Sequence, residues 1–464
     1  MGFIKSQLKG DRYIWLIFFL LALVSMVCSF SSSSFLAFRS EVFYAPIMKH
    51  VRHLVVGFLL IIVASNIPVQ FYRNTSWCAF AIAVLSLIAV QLVESSSGGA
   101  NRQIAGFQPS EIGKYASITL CAIFLSQGQT RGVLGVSKEK LIPAIAIPVA
   151  ISLMIVFDNL STAVLLGATI AGMIYSSGIS NKVFFKNLML PALGVAMLGL
   201  TAIMYLPKDY IRIDRLLTWR ARIERSFSDE EPIITQKIDD KNRQVIFAQM
   251  AVARGGVVGN PFDSQMRDFL PLAFSDFIYS MIIEEWGLLG GIFVLLLYFS
   301  LLVRVSIIFS RCNNLYAGLL MLGVTISIVL QALVNMSVGV KLIPVTGQPL
   351  PLISFGGSSI IMTCFYFGII QSVSSRVGFG EEGLRTDKIY GMIFDQADDS
   401  REDYEDYDYS DENADDNVES KIVEDEEVKE MLDPKISTVT DNNEAISNVE
   451  DKKLEEEKVP LYPF

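Results

Sequence analysis

Residues 315–339 read LYAGLLMLGVTISIVLQALVNMSVG, 25 consecutive positions without an Asp, Glu, Lys or Arg. As a helix rising 1.5 Å per residue, this stretch is about 37 Å long, more than the roughly 30 Å of a bilayer's hydrocarbon core. Its natural solvent is lipid. Working outward, apolar runs of similar length recur at about 13–33, 51–71, 76–93, 112–127, 141–157, 160–178, 187–206, 277–303 and 353–374, which makes ten in all. The expected fold class is therefore all-α, a polytopic membrane protein of about ten transmembrane helices. The first run follows Lys5, Lys9 and Arg12 and precedes serines, as a signal peptide would. It is longer than a signal peptide's apolar core, so an uncleaved anchor is expected.

The 464 residues are 52% hydrophobic with a formal charge of −10, and that charge is divided unevenly. Residues 377–464 hold 29 of the 48 acids and 9 of the 38 bases, a balance of −20. The remainder, 1–376, is left with 29 bases and 19 acids, or +10. A basic, apolar body with an acidic tail argues against a soluble enzyme, a secreted disulfide scaffold and a nucleic-acid binder. The expected organisation is a membrane domain over 1–376 and a disordered, cytoplasmic acidic tail over 377–464. The tail reads equally as a tether for cytoplasmic proteins or as inert solvated chain.

Cys28, Cys78, Cys121, Cys312 and Cys364 lie in or beside apolar runs without CxxC spacing and read as small buried apolar residues. His50 and His53 precede an apolar run with no further ligand cluster nearby, so interfacial packing is the expected role. Zinc hydrolysis and histidine acid–base chemistry are thereby disfavoured.

Orientation follows from Lys and Arg in short loops. With the N-terminus inside, twelve bases fall in the cytoplasm: Lys5, Lys9, Arg12, Arg73, Arg131, Lys138, Lys140, Lys182, Lys186, Arg304, Arg311 and Arg376. Six fall outside: Arg39, Lys49, Arg52, Arg102, Lys114 and Lys341. The bias favours both termini inside. Residues 207–275 then form a large extracytoplasmic loop with 11 bases and 10 acids. Its stretch 208–225, with Trp219 interleaved, suits a membrane-surface helix or a solvated loop. Residues 340–352 carry Pro344, Gly347, Pro349 and Pro351, which exclude a regular helix.

Ionisable groups at membrane depth are costly and are functional candidates by default. Glu111 and Lys114, three apart on one helical face, read as a structural ion pair or part of a site. Asp276 opens the eighth run, with Glu284 eight residues on and about 12 Å deeper. That separation is too wide for the two-carboxylate pair of a retaining glycosidase, roughly 5–5.5 Å. Asp276 reads either as a helix N-cap or as a lone general base, and Glu284 and Glu285 as helix-to-helix hydrogen bonders.

Three motifs narrow these options. Residues 344–359, PVTGQPLPLISFGGSS, resemble the P-x-T-G-x-x-L-P-x-x-S-x-G-G-S-S loop of the SEDS family (shape, elongation, division and sporulation proteins). Residues 107–114, FQPSEIGK, resemble that family's F-Q-P-S-E-x-x-K element. Ser275-Asp276-Phe277-Ile278 with Glu284-Glu285-Trp286-Gly287 resembles its H-T-D-F-I…E-E-x-G element, with Phe274-Ser275 in place of His-Thr. Asn159 stands where the family has an Asp at the sixth span, Gln103 where it has a Trp, and the family's Gly-rich loop is reduced to residues 259–264, GNPFDS.

The resemblance covers residues 12–376. It implies a peptidoglycan glycosyltransferase of the bacterial inner membrane, closer to the division branch than the rod-shape branch, acting at the septum. The substrate implied is lipid II, a disaccharide-peptide on undecaprenyl diphosphate. The partners implied are a class B penicillin-binding transpeptidase and other division proteins.

An α-linked donor and β-linked product need only one inverting displacement. Asp276 would be the base for the sugar hydroxyl, an effect typically about 10²–10⁴-fold. Candidate substrate-binding residues are Arg102, Gln108, Glu111, Lys114, Arg254, Lys341, Thr346, Ser354, Gly356, Gly357 and Ser358. The cations would face the leaving diphosphate, and Gly356 and Gly357 either cradle phosphate or allow tight helix packing. No dedicated metal-ligand cluster is present in the sequence, and a divalent cation is a candidate assistant only. Two readings compete, a lipid II flippase and a non-catalytic division scaffold. The first predicts translocation without polymer, the second an Asp276 mutant that still supports growth.

Overall fold

The computed structural model describes residues 9–39, 45–97, 108–128, 137–205, 217, 219–221, 224, 243–260 and 276–377, all within the unit Met1–Asp387. Arg102, most of the loop 207–275, including most of the stretch 208–225, and the tail beyond Val377 lie outside the described residues. Each of the ten apolar runs falls on a helix: α1 (Arg12–Arg39), α2 (Ala45–Asn66), α4 (Ser76–Ser97), α5 (Pro109–Gln127), α6 (Lys138–Asp158), α7 (Leu160–Ser176), α8 (Leu190–Tyr205), α10 (Ile278–Ser310), α11 (Leu315–Gly339) and α12 (Gly357–Ser374). A short α3 (Val69–Asn74) joins α2 to α4, and α9 (Arg243–Gly255) precedes α10. A π-helical turn, Phe184–Met189, leads into α8. No strand occurs among the described residues.

Among the described residues seven helices are long and apolar enough to cross a bilayer, and Ser76–Leu92 and Leu160–Ser176 are shorter apolar helices. The remaining helix, α5, is 19 residues long and carries Glu111 and Lys114. The inner helices are α11 and α12, whose spans are 78% and 83% buried within the protein, whereas Asn181–Gly199 is only 6% buried. Polar groups thus concentrate on the helices around α11, namely α5, α7, α10 and α12, and the outer helices present apolar side chains to lipid. Three cysteines, Cys28, Cys121 and Cys364, are buried as expected. Cys78 is exposed, because its side of α4 faces away from the bundle.

At the end of the bundle where α1 begins, Asp11 caps that helix by accepting from the Tyr13 and Ile14 N–H groups, at 2.9 and 3.2 Å. The same carboxylate takes Arg304 of α10 at 2.6 Å, and the Asp11 N–H donates to Gln371 of α12 at 2.9 Å. Three helices are pinned there.

Helix α10 is interrupted at Gly287, whose φ of 70° and ψ of −173° no helix contains. In an unbroken helix Leu288 N–H would bond the Glu284 carbonyl. Here Leu288 N–H donates to Gly256 O at 2.9 Å, and the vacated Glu284 carbonyl accepts from Asn260 N–H at 2.9 Å. Leu289 N–H likewise donates to Val257 O at 3.3 Å. The turn after α9 is thus plugged into the break and pairs the Leu288 and Leu289 N–H groups and the Glu284 carbonyl that the break frees, as the bilayer interior demands. A Cβ on Gly287 would run into the Val257 carbonyl. Gly287→Ala is therefore expected to destabilise by about 1–3 kcal/mol, read as a lower thermal midpoint in detergent. An unchanged midpoint would contradict the interlock.

Candidate active site

The segment 340–356 runs without helix between α11 and α12, as its prolines require. Non-helical backbone at membrane depth must be satisfied by protein. Over residues 348–352 helix side chains take four of the five carbonyls. Asn335 donates to the Gln348 carbonyl at 2.7 Å and Gln331 to the Pro349 carbonyl at 3.0 Å. Tyr298 of α10 donates its hydroxyl to the Pro351 carbonyl at 2.5 Å, and Ser25 of α1 donates to Leu352 at 2.7 Å. The Gln348 side chain in turn donates to Thr162 at 2.8 Å, tying the segment to α7.

Gln331 and Asn335 lie one turn apart on α11, and each grips a second element. The carbonyl oxygen of Gln331 accepts from Lys114 Nζ at 2.9 Å, while Lys114 also pairs with Glu111 at 2.8 Å. Asn335 uses its other amide hydrogen on the Asp276 carbonyl at 3.0 Å. Two amide side chains therefore join the Lys114–Glu111 pair, the proline-rich segment and Asp276. Lys114 is 2% exposed, so it organises the interior in this structure.

Asp276 is half-buried and sits two residues before α10 begins at Ile278. The N-cap position falls to Phe277, without a side-chain capping bond, so Asp276 is not the cap that its place in the sequence suggested. Nor does it share a helical face with Glu284, since it precedes the helix. Glu284 is fully buried, and the Glu285 carboxylate accepts a hydrogen bond from Ser31 of α1.

Other candidates are placed as follows. Gln108 precedes α5, half-buried, with no capping bond from its side chain. Arg254 closes α9, and its carbonyl accepts from Asn260 at 2.9 Å. Lys341 lies in the turn after α11 at φ 59°, and burial lowers its amine's pKa. Thr346 Oγ has no hydrogen-bond partner among the described residues. Ser354 accepts from Leu350 N–H at 2.7 Å and so closes the segment on itself. Gly356 caps α12, where a Cβ would make only an ordinary contact 3.5 Å from Ser359 Cβ, but a Cβ on Gly357 would stand 2.8 Å from His53 Nε2, so close packing governs that glycine. Ser358 is buried in the first turn. Among the described residues no three His, Cys, Asp or Glu side chains gather.

Sequence reasoning missed Gln331, Asn335, Thr162, Tyr298 and Ser25. Outside the three motifs it weighed charged side chains only, and these five are uncharged. Their signal was polar amides and hydroxyls inside apolar runs, beside a segment whose backbone needed partners.

A helical bundle with lipid-facing outer helices and one loop-closed polar end defines an integral membrane protein with its candidate site at one end of the spans. The chain belongs to the FtsW, RodA and SpoVE family of cell cycle proteins, whose model matches residues 11–377. Among curated relatives, the probable peptidoglycan glycosyltransferase FtsW of Coxiella burnetii is 26% identical over 80% of this chain and 98% of its own length. The probable peptidoglycan glycosyltransferase FtsW of Bacillus subtilis is 28% identical over 82% and 94%, and the peptidoglycan glycosyltransferase MrdB of Escherichia coli K12 is 26% identical over 71% and 85%. The fold matches a chain of a peptidoglycan synthase complex that coordinates polymerisation and crosslinking, with TM-score 0.58 and 22% identity over 80% of this chain and 99% of that one. It also matches Thermus thermophilus RodA, with TM-score 0.51 and 18% identity over 80% and 98%.

Proposed function

We propose that this protein is a peptidoglycan glycosyltransferase that polymerises lipid II, with Asp276 as general base. One observation carries the reading: Asn335 holds the Asp276 carbonyl and the Gln348 carbonyl at once. The main chain that carries the Asp276 carboxylate is thereby held beside the proline-rich segment, at the end of the bundle where α5, α7 and α12 begin. The loop-charge bias puts this end outside the cell, with both termini in the cytoplasm. The relatives' names supply the reaction class.

In the proposed step the Asp276 carboxylate removes the proton from a sugar 4-hydroxyl. The oxygen attacks the donor's anomeric carbon as the bond to the diphosphate breaks. Configuration inverts in one displacement, and undecaprenyl diphosphate leaves. Negative charge grows on the diphosphate and calls for a cation. Lys341 suits this better than Lys114, because it lies half-buried at the segment's edge, whereas Lys114 is buried in its pair with Glu111. A class B penicillin-binding transpeptidase is the proposed partner and the division septum the proposed location. The membrane domain is proposed to end near residue 376, with the acidic tail serving no step of the chemistry.

Vesicles containing the purified protein and fluorescent lipid II test this reading against transport. Conversion of the label into glycan strands is expected. Movement of lipid II between leaflets with no polymer formed would instead identify a flippase.

A further inference from the structure

The sequence contains two histidines, and both face the turn that opens α12. His53 packs on Gly357. His50 was expected at the membrane interface but is 1% exposed inside the bundle, its ring stacked on Phe355 with centroids 5.6 Å apart and planes at 20°. Its Nε2 stands 2.8 Å from Ser25 Oγ, and that hydroxyl stands 2.7 Å from the Leu352 carbonyl.

The proton arithmetic decides the direction of this chain. A serine hydroxyl has one hydrogen, and a carbonyl can only accept. The Ser25 hydrogen therefore goes to the main chain, to the Leu352 carbonyl at 2.7 Å ahead of that of Ile353 at 3.4 Å, so His50 Nε2 must carry a hydrogen and donate it to Ser25. A hydrogen on Nε2 is what this geometry requires, and Nδ1 has no hydrogen-bond partner among the described residues, where a second ring hydrogen would be stranded. The opposite tautomer would draw the Ser25 hydrogen to the ring and away from the carbonyl, a costly loss at membrane depth.

The carbonyl so held belongs to a strained residue. Leu352 has φ 68°, a region that a leucine rarely occupies and that persists only when its surroundings over-determine it. We propose that the relay from His50 through Ser25 to Leu352 is a positioning device for the reaction. It fixes the strained turn, and with it the start of α12 and the segment that Asn335 ties to Asp276. His50 and Ser25 touch no substrate in this account. The inference rests on the glycosyltransferase reading for its consequence, and its geometry can be tested separately.

Ser25→Ala, His50→Phe, the double variant and His50→Gln form the test. Each of the first two is expected to lower kcat for glycan polymerisation about ten- to hundredfold with little change in KM for lipid II, the size typical of a misplaced site. Because the relay acts in series, the double variant should fall no further than the worse single one. His50→Gln, which keeps a donor N–H, should recover part of the loss.

Amide hydrogen exchange supplies a readout free of catalysis. Peptides covering 350–357 should exchange about tenfold faster in Ser25→Ala, while those from α11 stay unchanged. The nitrogen chemical shifts of His50 in the wild-type protein should report the Nε2–H tautomer. Unchanged exchange and kcat, additive losses in the double variant, or the Nδ1–H tautomer would overturn the relay. If the wild-type protein makes no polymer while the exchange and tautomer results hold, the glycosyltransferase reading fails and the relay stands.

Discussion

Asp276→Asn is expected to lower glycan polymerisation about 10²–10⁴-fold while the bundle stays folded. Asn keeps the size and polarity of the side chain and leaves the main-chain carbonyl, which Asn335 holds, untouched. What is lost is the proton acceptor. A sugar hydroxyl is a weak nucleophile, so losing the base should appear in kcat rather than in KM for lipid II. Initial rates on fluorescent lipid II, with the thermal midpoint measured on the same preparation, separate chemistry from folding. A rate within threefold of wild type would move the base elsewhere.

Lys114→Met should produce the largest loss of stability. Lys114 and Glu111 pair at 2.8 Å, with side chains 2% and 8% exposed. Removing one partner leaves a charge buried without compensation, a change that costs about 3–5 kcal/mol. It also strips Gln331 of the donor to its carbonyl oxygen, at the residue that holds Pro349. A large fall in thermal midpoint in detergent is expected, with part of it restored by adding Glu111→Gln, which removes the stranded charge. An unchanged midpoint would show that Glu111 finds another partner at no cost, and the pair would lose its place as organiser of the site.

How much of this was readable beforehand differs from one feature to another. The helices were legible because lipid imposes a length that few other solvents do, and 315–339 meets it without a charge. The proline-rich segment was legible because Pro344, Pro349 and Pro351 exclude a helix whatever surrounds them. The break in α10 was not legible. Gly287 closes the E-E-x-G match, but that spacing does not say the helix breaks there, and its φ is set by a turn some 30 residues upstream that inserts at the gap. The Gln331 and Asn335 clasp was half-legible, since two amides four apart mark one face but do not say what they hold. His50 illustrates the converse error: a histidine before an apolar run looked interfacial, and the tertiary fold instead buries it against Phe355 and Ser25. At Asp276, sequence spacing suggested a helix cap, and the helix in fact starts two residues later.

The most direct test of the central claim is the product formed by the wild-type protein from fluorescent lipid II, together with its cognate transpeptidase rendered unable to crosslink. Separation by length on a gel is expected to show a ladder of uncrosslinked glycan strands that disappears with Asp276→Asn. Lipid II recovered unchanged from the folded wild-type complex, or an identical ladder from the Asp276 variant, would contradict the account.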